Sequence, residues 1–437
     1  MIKKSFFITF IFGINILVQL ISQIVITRFF GAGFDIDVFL AAVTLPTIIV
    51  TVIYGTLNDT FLPIFGRIKE ESDRERYFVS ALLIIGFIGF VLASALGFFS
   101  QNIATFFYAA RGVVFVKAVA TMMPSLFYAV PLSIIATLMG SYFYNKKNFY
   151  RFPLAQVIGN ILNIILVFLF HNSLGVNVLV LGFVLNIFSQ IIFCFPKSIA
   201  TNKNNFPNFL KDFTDLKNIG KLILTWIPLI ISLFAIKSDS LIVRSYASHL
   251  PTGYQVYFNL IYKIFSLSAG VCTIGIQILL LPHLVEHFSN KNHDKAFSQI
   301  AKSKTFGILI SAFVVFLVVF LSPYVINILF VGGKFSESDA QKTIALLPLF
   351  IIPAIGWGIS SIFYQPLIAL QKVWSLAILN SFALLLAWGS AYYTNIIFGP
   401  LFAITVGLIV LLFTGIIGSE ILWQHYKKKL GANLGTN

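Results

Sequence analysis

Long apolar runs separated by short polar interruptions dominate the chain from end to end. A helix that crosses a bilayer needs about 20 mostly apolar residues, and the runs predict spans at roughly 5–29, 38–64, 78–103, 115–143, 153–172, 176–196, 221–248, 254–286, 305–330, 343–367, 373–395 and 398–425. The expected fold is therefore all-α and polytopic, with about twelve transmembrane helices. Several runs exceed the thickness of a membrane, so those helices tilt or project beyond the headgroups. Pro46, Pro63, Pro124, Pro131, Pro228, Pro282, Pro348 and Pro353 fall within or at the ends of spans. Kinks or breaks are expected there.

Composition agrees with this pattern. Of 437 residues, 58% are hydrophobic and 10% charged, too few charges to cover the surface of a soluble domain. The formal charge of +15 would suggest nucleic acid in a soluble protein. Here the basic residues sit in short loops. If the N-terminus is cytoplasmic, only Arg111, Lys117, Lys334 and Lys342 fall outside, while Arg28, Lys237, Arg244 and Lys263 fall within or at the ends of spans. Every other Lys and Arg lies on the inner side, which predicts cytoplasmic termini in a bacterial inner membrane and no nucleic-acid partner. The run after Lys3 and Lys4 is too long for a signal-peptide core and reads as the first span. Cys194 and Cys272 both lie in apolar spans, where core packing is the expected role.

The two halves echo each other. Ser141-Tyr142-Phe143-Tyr144 recurs as Ser361-Ile362-Phe363-Tyr364, and Asn160 follows Tyr144 as Asn380 follows Tyr364. Phe61-Leu62-Pro63-Ile64 resembles Leu280-Leu281-Pro282-His283. The expected organisation is a six-helix lobe at 1–196, a basic cytoplasmic linker at 197–220, and a second six-helix lobe with a short basic tail at 221–437. Two pseudo-symmetric bundles of this kind surround a central cavity in transporters that rock one half against the other. A monomer suffices for such a pseudo-dimer.

No segment outside the spans is long enough for a catalytic domain, and no nucleotide fingerprint or metal-ligand spacing is present, so the chain reads as a transporter without a cofactor rather than an enzyme. The weak enzymatic reading is a glycosyltransferase built on Asp35 and Asp37. Loop solvation or capping of the second span explains that pair more simply. Asn292-His293-Asp294 reads as a solvated turn. The intramembrane Asn58, Asn160, Asn163, Asn186 and Asn380 are expected to bond between helices.

Charges inside the bilayer cost several kcal/mol unless they face a cavity or a partner. Arg28, Lys237, Arg244 and Lys263 are therefore candidates for a cationic cavity that suits phosphate. Snorkelling to headgroups is the alternative, strongest for Arg28 and Arg244 near helix ends. Lys237 and Arg244 are two turns apart and would share a helix face. Asp59 and Asp239 are either ion-coupling carboxylates, for sodium or protons, or counter-ions to the nearby bases. Four bases against two acids disfavour export of cationic drugs, the competing transport reading.

The stretch Ile26-Thr27-Arg28-Phe29-Phe30-Gly31-Ala32-Gly33, with Asp37, Phe39, Pro46, Gly55, Phe61 and Pro63, resembles the opening of the MurJ/MviN lipid II flippase family of the multidrug/oligosaccharidyl-lipid/polysaccharide exporter superfamily. A second similar stretch runs from Pro228 through Arg244, Ala247-Ser248, Gly253, Lys263, Gly270-Val271 and Leu280-Leu281-Pro282 to Asn292-His293-Asp294. The resemblance implies transport of an undecaprenyl-pyrophosphate-linked glycan to the outer leaflet. The headgroup would enter a cationic cavity, the lipid tail would stay in the bilayer, and the halves would alternate access. Coupling would be to Na+, H+ or the membrane potential, and glycan-assembly enzymes are the implied protein partners. Lys263 stands where the family has a cavity arginine, and Arg244 on the arginine of an Asp-Arg pair. The chain departs from the family at Ser22 and at Val50/Thr51, where arginines are uncharged residues, and at Val243, where a sodium-binding aspartate is absent. It also has about twelve spans against the family's fourteen. These departures favour a lipid-linked surface polysaccharide as cargo, with lipid II second.

Overall fold

The computed structural model describes residues 2–196, 216–290 and 292–432, with the side chains of 2–9, 267–268, 270–279, 282, 289 and 431–432 excepted. Residues 197–215 of the expected linker, and the side chain of Cys272, lie outside the described set. Among the described residues every regular element is helical. Contacts gather into two compact units, Met1–Ile230 and Ile231–Asn437.

The first unit contains α1 (Ile2–Phe30), α2 (Phe34–Arg67), α3 (Glu71–Phe98), the short α4 (Ser100–Tyr108), α5 (Val113–Phe127), α6 (Ala129–Asn145), α7 (Arg151–Leu174) and α8 (Asn177–Phe193). Helix α9 (Leu216–Lys237) straddles the division. The second unit continues with α10 (Asp239–Ala247), α11 (Tyr254–Ser289), α12 (His293–Val325), α13 (Glu337–Leu346), α14 (Ile351–Ala369), α15 (Val373–Phe398) and α16 (Pro400–Ala432). Ten helical stretches among the described residues are long and apolar enough to cross a membrane. The other two expected spans coincide with the 17-residue α8 and the 36-residue α11. At 1.5 Å per residue, α11 is about 54 Å long, well beyond the thickness of a hydrocarbon core.

Local sequence sets the breaks. Gly31 adopts φ 66° directly after α1, and its N–H closes onto the Thr27 carbonyl at 2.8 Å, a left-handed helix end that glycine accepts without strain. Gly33 then precedes α2, whose first turn carries Asp35 and Asp37 where a helix favours negative charge. Proline does not always break a span. Pro46 and Pro63 lie inside the continuous α2, and Pro228 inside α9. The fourth span does divide, into α5 and α6 at Tyr128 between Pro124 and Pro131. The seventh divides at Ser238, which no proline marks.

The same packing recurs in both units. In the first unit α2 and α3 pack on α6, the second half of the fourth span, and α7 and α8 on each other. In the second unit α11 and α12 pack on α14, and α15 on α16. The echo at Asn160 and Asn380 has a structural counterpart. Asn160 on α7 donates to Asn15 on α1 at 2.8 Å, and Asn380 on α15 donates to Ser232 on α9 at 2.9 Å. Each fifth span is thus tied to the first span of its own half.

Small residues permit close approach. A Cβ on Gly159 of α7 would fall 2.5 Å from Asn186 Oδ1 on α8, so only glycine lets these helices meet there. Across the same interface Asn186 donates to Asn160 Oδ1 at 2.7 Å, and within α8 Gln190 donates to Asn186 Oδ1 at 2.9 Å. Tyr54 on α2 donates to Gln190 Oε1 at 2.9 Å. Replacing Asn160 with leucine cuts this chain next to its α1 end and takes the bonds of Asn160 from the buried Asn15 on α1 and the half-buried Asn186 on α8. We expect a loss of about 1–3 kcal/mol, read as a lowered denaturation midpoint in mixed micelles. An unchanged midpoint would show the chain of amides to be dispensable.

Candidate functional site

The broken seventh span organises the second unit's charges. Lys237 is the last residue of α9 and Asp239 the first of α10, with Ser238 between them. A helix C-terminus favours a cation and a helix N-terminus an anion. The break therefore gives each charge a helix end of the right sign, which helps both to exist at bilayer depth. Ser238 keeps right-handed torsions of φ −72° and ψ −2°, its N–H bonds to the Phe234 carbonyl at 2.9 Å and its carbonyl accepts the Ile242 N–H at 3.2 Å, so the helical path carries through the interruption.

Asp239 is 2% exposed, and its carboxylate is held from three directions. It accepts the Ser240 backbone N–H at 2.7 Å, the Tyr262 hydroxyl at 3.1 Å to each oxygen, and the Trp357 indole N–H at 2.9 Å. Tyr262 lies on α11 and Trp357 on α14, with ring centroids 5.0 Å apart. Lys237 is half-buried, and its charge acts on Asp239. Among the described residues, no carboxylate lies within ion-pair distance of its ammonium.

Arg244 and Lys263 differ in availability. Arg244 is 7% exposed. Its guanidinium donates to the Gln255 carbonyl and to Asn259 Oδ1 on α11, and Gln255 Nε2 returns a bond to the Arg244 carbonyl at 2.9 Å. Its donors are thus engaged in joining α10 to α11 rather than snorkelling. Lys263, next to Tyr262, is exposed, and the charge of Arg244 reaches it. Among the described residues, no carboxylate pairs with it.

The structure thus gathers Lys237, Asp239, Arg244 and Lys263 in consecutive elements of the second unit. Arg28 and Asp59 belong to the first. Arg28 is exposed in the last turn of α1. Asp59 is exposed on α2, beside Asn58, which accepts a bond from Ser141.

Three features escaped the sequence. Tyr262 and Trp357 are ordinary aromatics of apolar spans until the fold turns them onto Asp239. Lys304 reads as an inner-loop base, yet it pairs with Glu420 on α16 and lies over the rings of Phe363 and Trp423; a lone acid inside the last span was the available signal. Asp37, read as solvated or capping, is fully buried and pairs with Arg111 at 3.2 Å. That pairing gives the aspartate a structural role.

The family described as "Lipid II flippase MurJ" matches residues 26–435. A probable lipid II flippase MurJ from Borreliella burgdorferi is 23% identical over 78% of this chain and 67% of its own length. Another from Buchnera aphidicola subsp. Acyrthosiphon pisum is 24% identical over 79% of this chain and 69% of its own. Among solved structures, a lipid II flippase MurJ in an inward closed conformation superposes with a TM-score of 0.74 at 18% identity, covering 97% of this chain and 87% of that one. An inward-facing multidrug resistance MATE family transporter of the MOP superfamily gives 0.75 at 14% identity, covering 97% and 96%. At these identities the superpositions speak to the fold.

Proposed function

Because the chain belongs to the lipid II flippase MurJ family, we propose that it moves an undecaprenyl-pyrophosphate-linked glycan from the inner to the outer leaflet by alternating access, with lipid II the first cargo to test. The observation that carries this reading is the pair of lysines, Lys237 on a helix long and apolar enough to cross a membrane and Lys263 on the 36-residue α11, neither of which forms an ion pair among the described residues. An unneutralised base at bilayer depth costs about 2.5–3.5 kcal/mol or more, a cost that an anionic ligand offsets. A lysine ammonium is a compact point charge suited to phosphate oxygens. Arg244 adds to the positive field while staying bound to α11. The lipid tail remains in the bilayer, and both termini are cytoplasmic.

Arg28, exposed in the last turn of α1, offers an anionic headgroup a contact within the first unit. Asp239, with its hydrogen-bond donors in place, serves as a counter-ion, while Asp59 is the better coupling carboxylate for Na+ or H+. A surface-polysaccharide carrier lipid is the second reading, favoured by the uncharged Ser22, Val50, Thr51 and Val243. Both cargoes present the same pyrophosphate and differ in the sugar.

Complementation separates them. One strain lacks its lipid II flippase, the other its surface-polysaccharide flippase, and Lys263→Ala serves as the control in each. Rescue of the first is the expected result. Rescue of the second alone would move the assignment to surface polysaccharide. Failure in both with correctly inserted protein would overturn lipid-linked glycan transport, and efflux of a cationic dye that stops on mutating Asp59 would then favour drug export.

A further inference from the structure

A carboxylate offers about four lone-pair directions. In Asp239 these are taken up by Ser240 N–H, by a Tyr262 hydroxyl shared between both oxygens, and by Trp357 N–H. All three donors are neutral. The nearest formal cation in sequence, Lys237, sits across a one-residue break and within electrostatic reach, yet forms no ion pair among the described residues. In a medium of low dielectric constant, an unsatisfied carboxylate so close to an ammonium would draw it into contact.

We propose that Tyr262 and Trp357 are positioning residues that keep Lys237 free for the substrate anion by occupying the Asp239 carboxylate in its place. The arrangement solves a conflict built into the sequence. Asp239 offsets part of the positive charge that makes Lys237 costly in a bilayer, but a direct salt bridge would consume the very ammonium that the anion needs. Neutral donors from α11 and α14 saturate the carboxylate without cancelling its charge. Lys237 then feels a nearby counter-charge and keeps its N–H donors for an incoming phosphate oxygen. The inference rests on the proposed reading of Lys237 as an anion contact.

The aromatic pair is braced for this task. Trp357 lies 6.1 Å from Phe350 in addition to its contact with Tyr262, and Phe350 is fully buried against Phe258 and Phe265. Tyr262→Phe removes a single oxygen and Trp357→Phe trades the indole for a smaller phenyl ring, so both keep an aromatic ring in this braced cluster.

The test uses the full-length protein in proteoliposomes, with the flipping rate measured against the mole fraction of lipid II. The Tyr262→Phe/Trp357→Phe double variant deletes both donors. We expect its half-saturating mole fraction to rise roughly tenfold, as for loss of one charged hydrogen bond, with the maximal rate within about twofold. Adding Asp239→Asn to that background removes the charge that captures Lys237, and is expected to restore half-saturation. Asparagine keeps an acceptor oxygen, so the third substitution is conservative in shape. An unchanged half-saturation in the double variant overturns the proposal. So does a defect that Asp239→Asn does not rescue, because the aromatics would then be holding up the fold. Lys237→Ala separates this from the functional reading. If Lys237→Ala transports normally, the reading of Lys237 as an anion contact fails and the proposal fails with it. If Lys237→Ala is defective while the double variant is not, only the proposal fails.

Discussion

Lys263→Ala is expected to reduce flipping by roughly ten- to a hundredfold, the equivalent of losing a charged hydrogen bond of about 1.5–3 kcal/mol. The side chain is exposed, neighbours Tyr262 and pairs with no carboxylate among the described residues, so its removal breaks no packing or ion pair. The loss should therefore appear in transport and not in expression or thermal stability. Lys263→Arg is expected to retain activity, because the position resembles one that holds an arginine in the lipid II flippases. Initial flipping rates for the three proteins, normalised to reconstituted protein, decide the matter. Equal rates for wild type and Lys263→Ala would remove this residue from the site.

The second large effect concerns stability. Asp37→Ala leaves the Arg111 guanidinium, whose side chain is 11% exposed, facing the space of a buried carboxylate. Stranding one member of such a pair costs about 3–5 kcal/mol. Most of that cost is the uncompensated charge, so Asp37→Ala combined with Arg111→Leu should recover much of it. Arg111 also lies 5.5 Å from the Phe115 ring centroid, and leucine keeps part of that contact. Denaturation midpoints of the two single variants and the double variant complete the cycle. Additive losses would mean that the pair is not coupled and that the two side chains act separately.

The contrast between these residues shows what the sequence could reveal. Span positions were legible because each apolar run must satisfy its own backbone within the bilayer, so hydropathy alone locates helices such as α2, α12 and α16. The repeat was legible through Asn160 and Asn380, each of which bonds to the first span of its own half. The candidate bases were legible because a charge inside a span stands out against its surroundings. Their partners were not. Tyr262, Trp357, Asn259 and Gln255 are unremarkable in their own helices, and become significant only when tertiary packing turns them onto Asp239 and Arg244.

The break at Ser238 was also hidden. Sequence reasoning assigned helix breaks to prolines, but Pro228 sits inside α9, and the helix divides where Lys237 and Asp239 gain opposite helix ends. The same limit explains Asp37. Two acids at the start of α2 read as a capping or solvated pair, while the basic partner of one of them lies 74 residues away at Arg111. Long-range pairing of this kind leaves no local trace.

Transport by the purified protein tests most directly whether the chain flips a lipid-linked glycan. Lipid II with a fluorescent headgroup is reconstituted into proteoliposomes, and an impermeant quencher reports how much of it reaches the outer leaflet over time. Wild-type protein is expected to expose inner-leaflet lipid II to the quencher, Lys263→Ala to do so far more slowly, and a fluorescent phospholipid without pyrophosphate to stay where it was placed. Lipid II that remains inaccessible in vesicles containing correctly folded wild-type protein, under imposed sodium, proton and voltage gradients and with a surface-polysaccharide carrier lipid giving the same result, would contradict lipid-linked glycan transport.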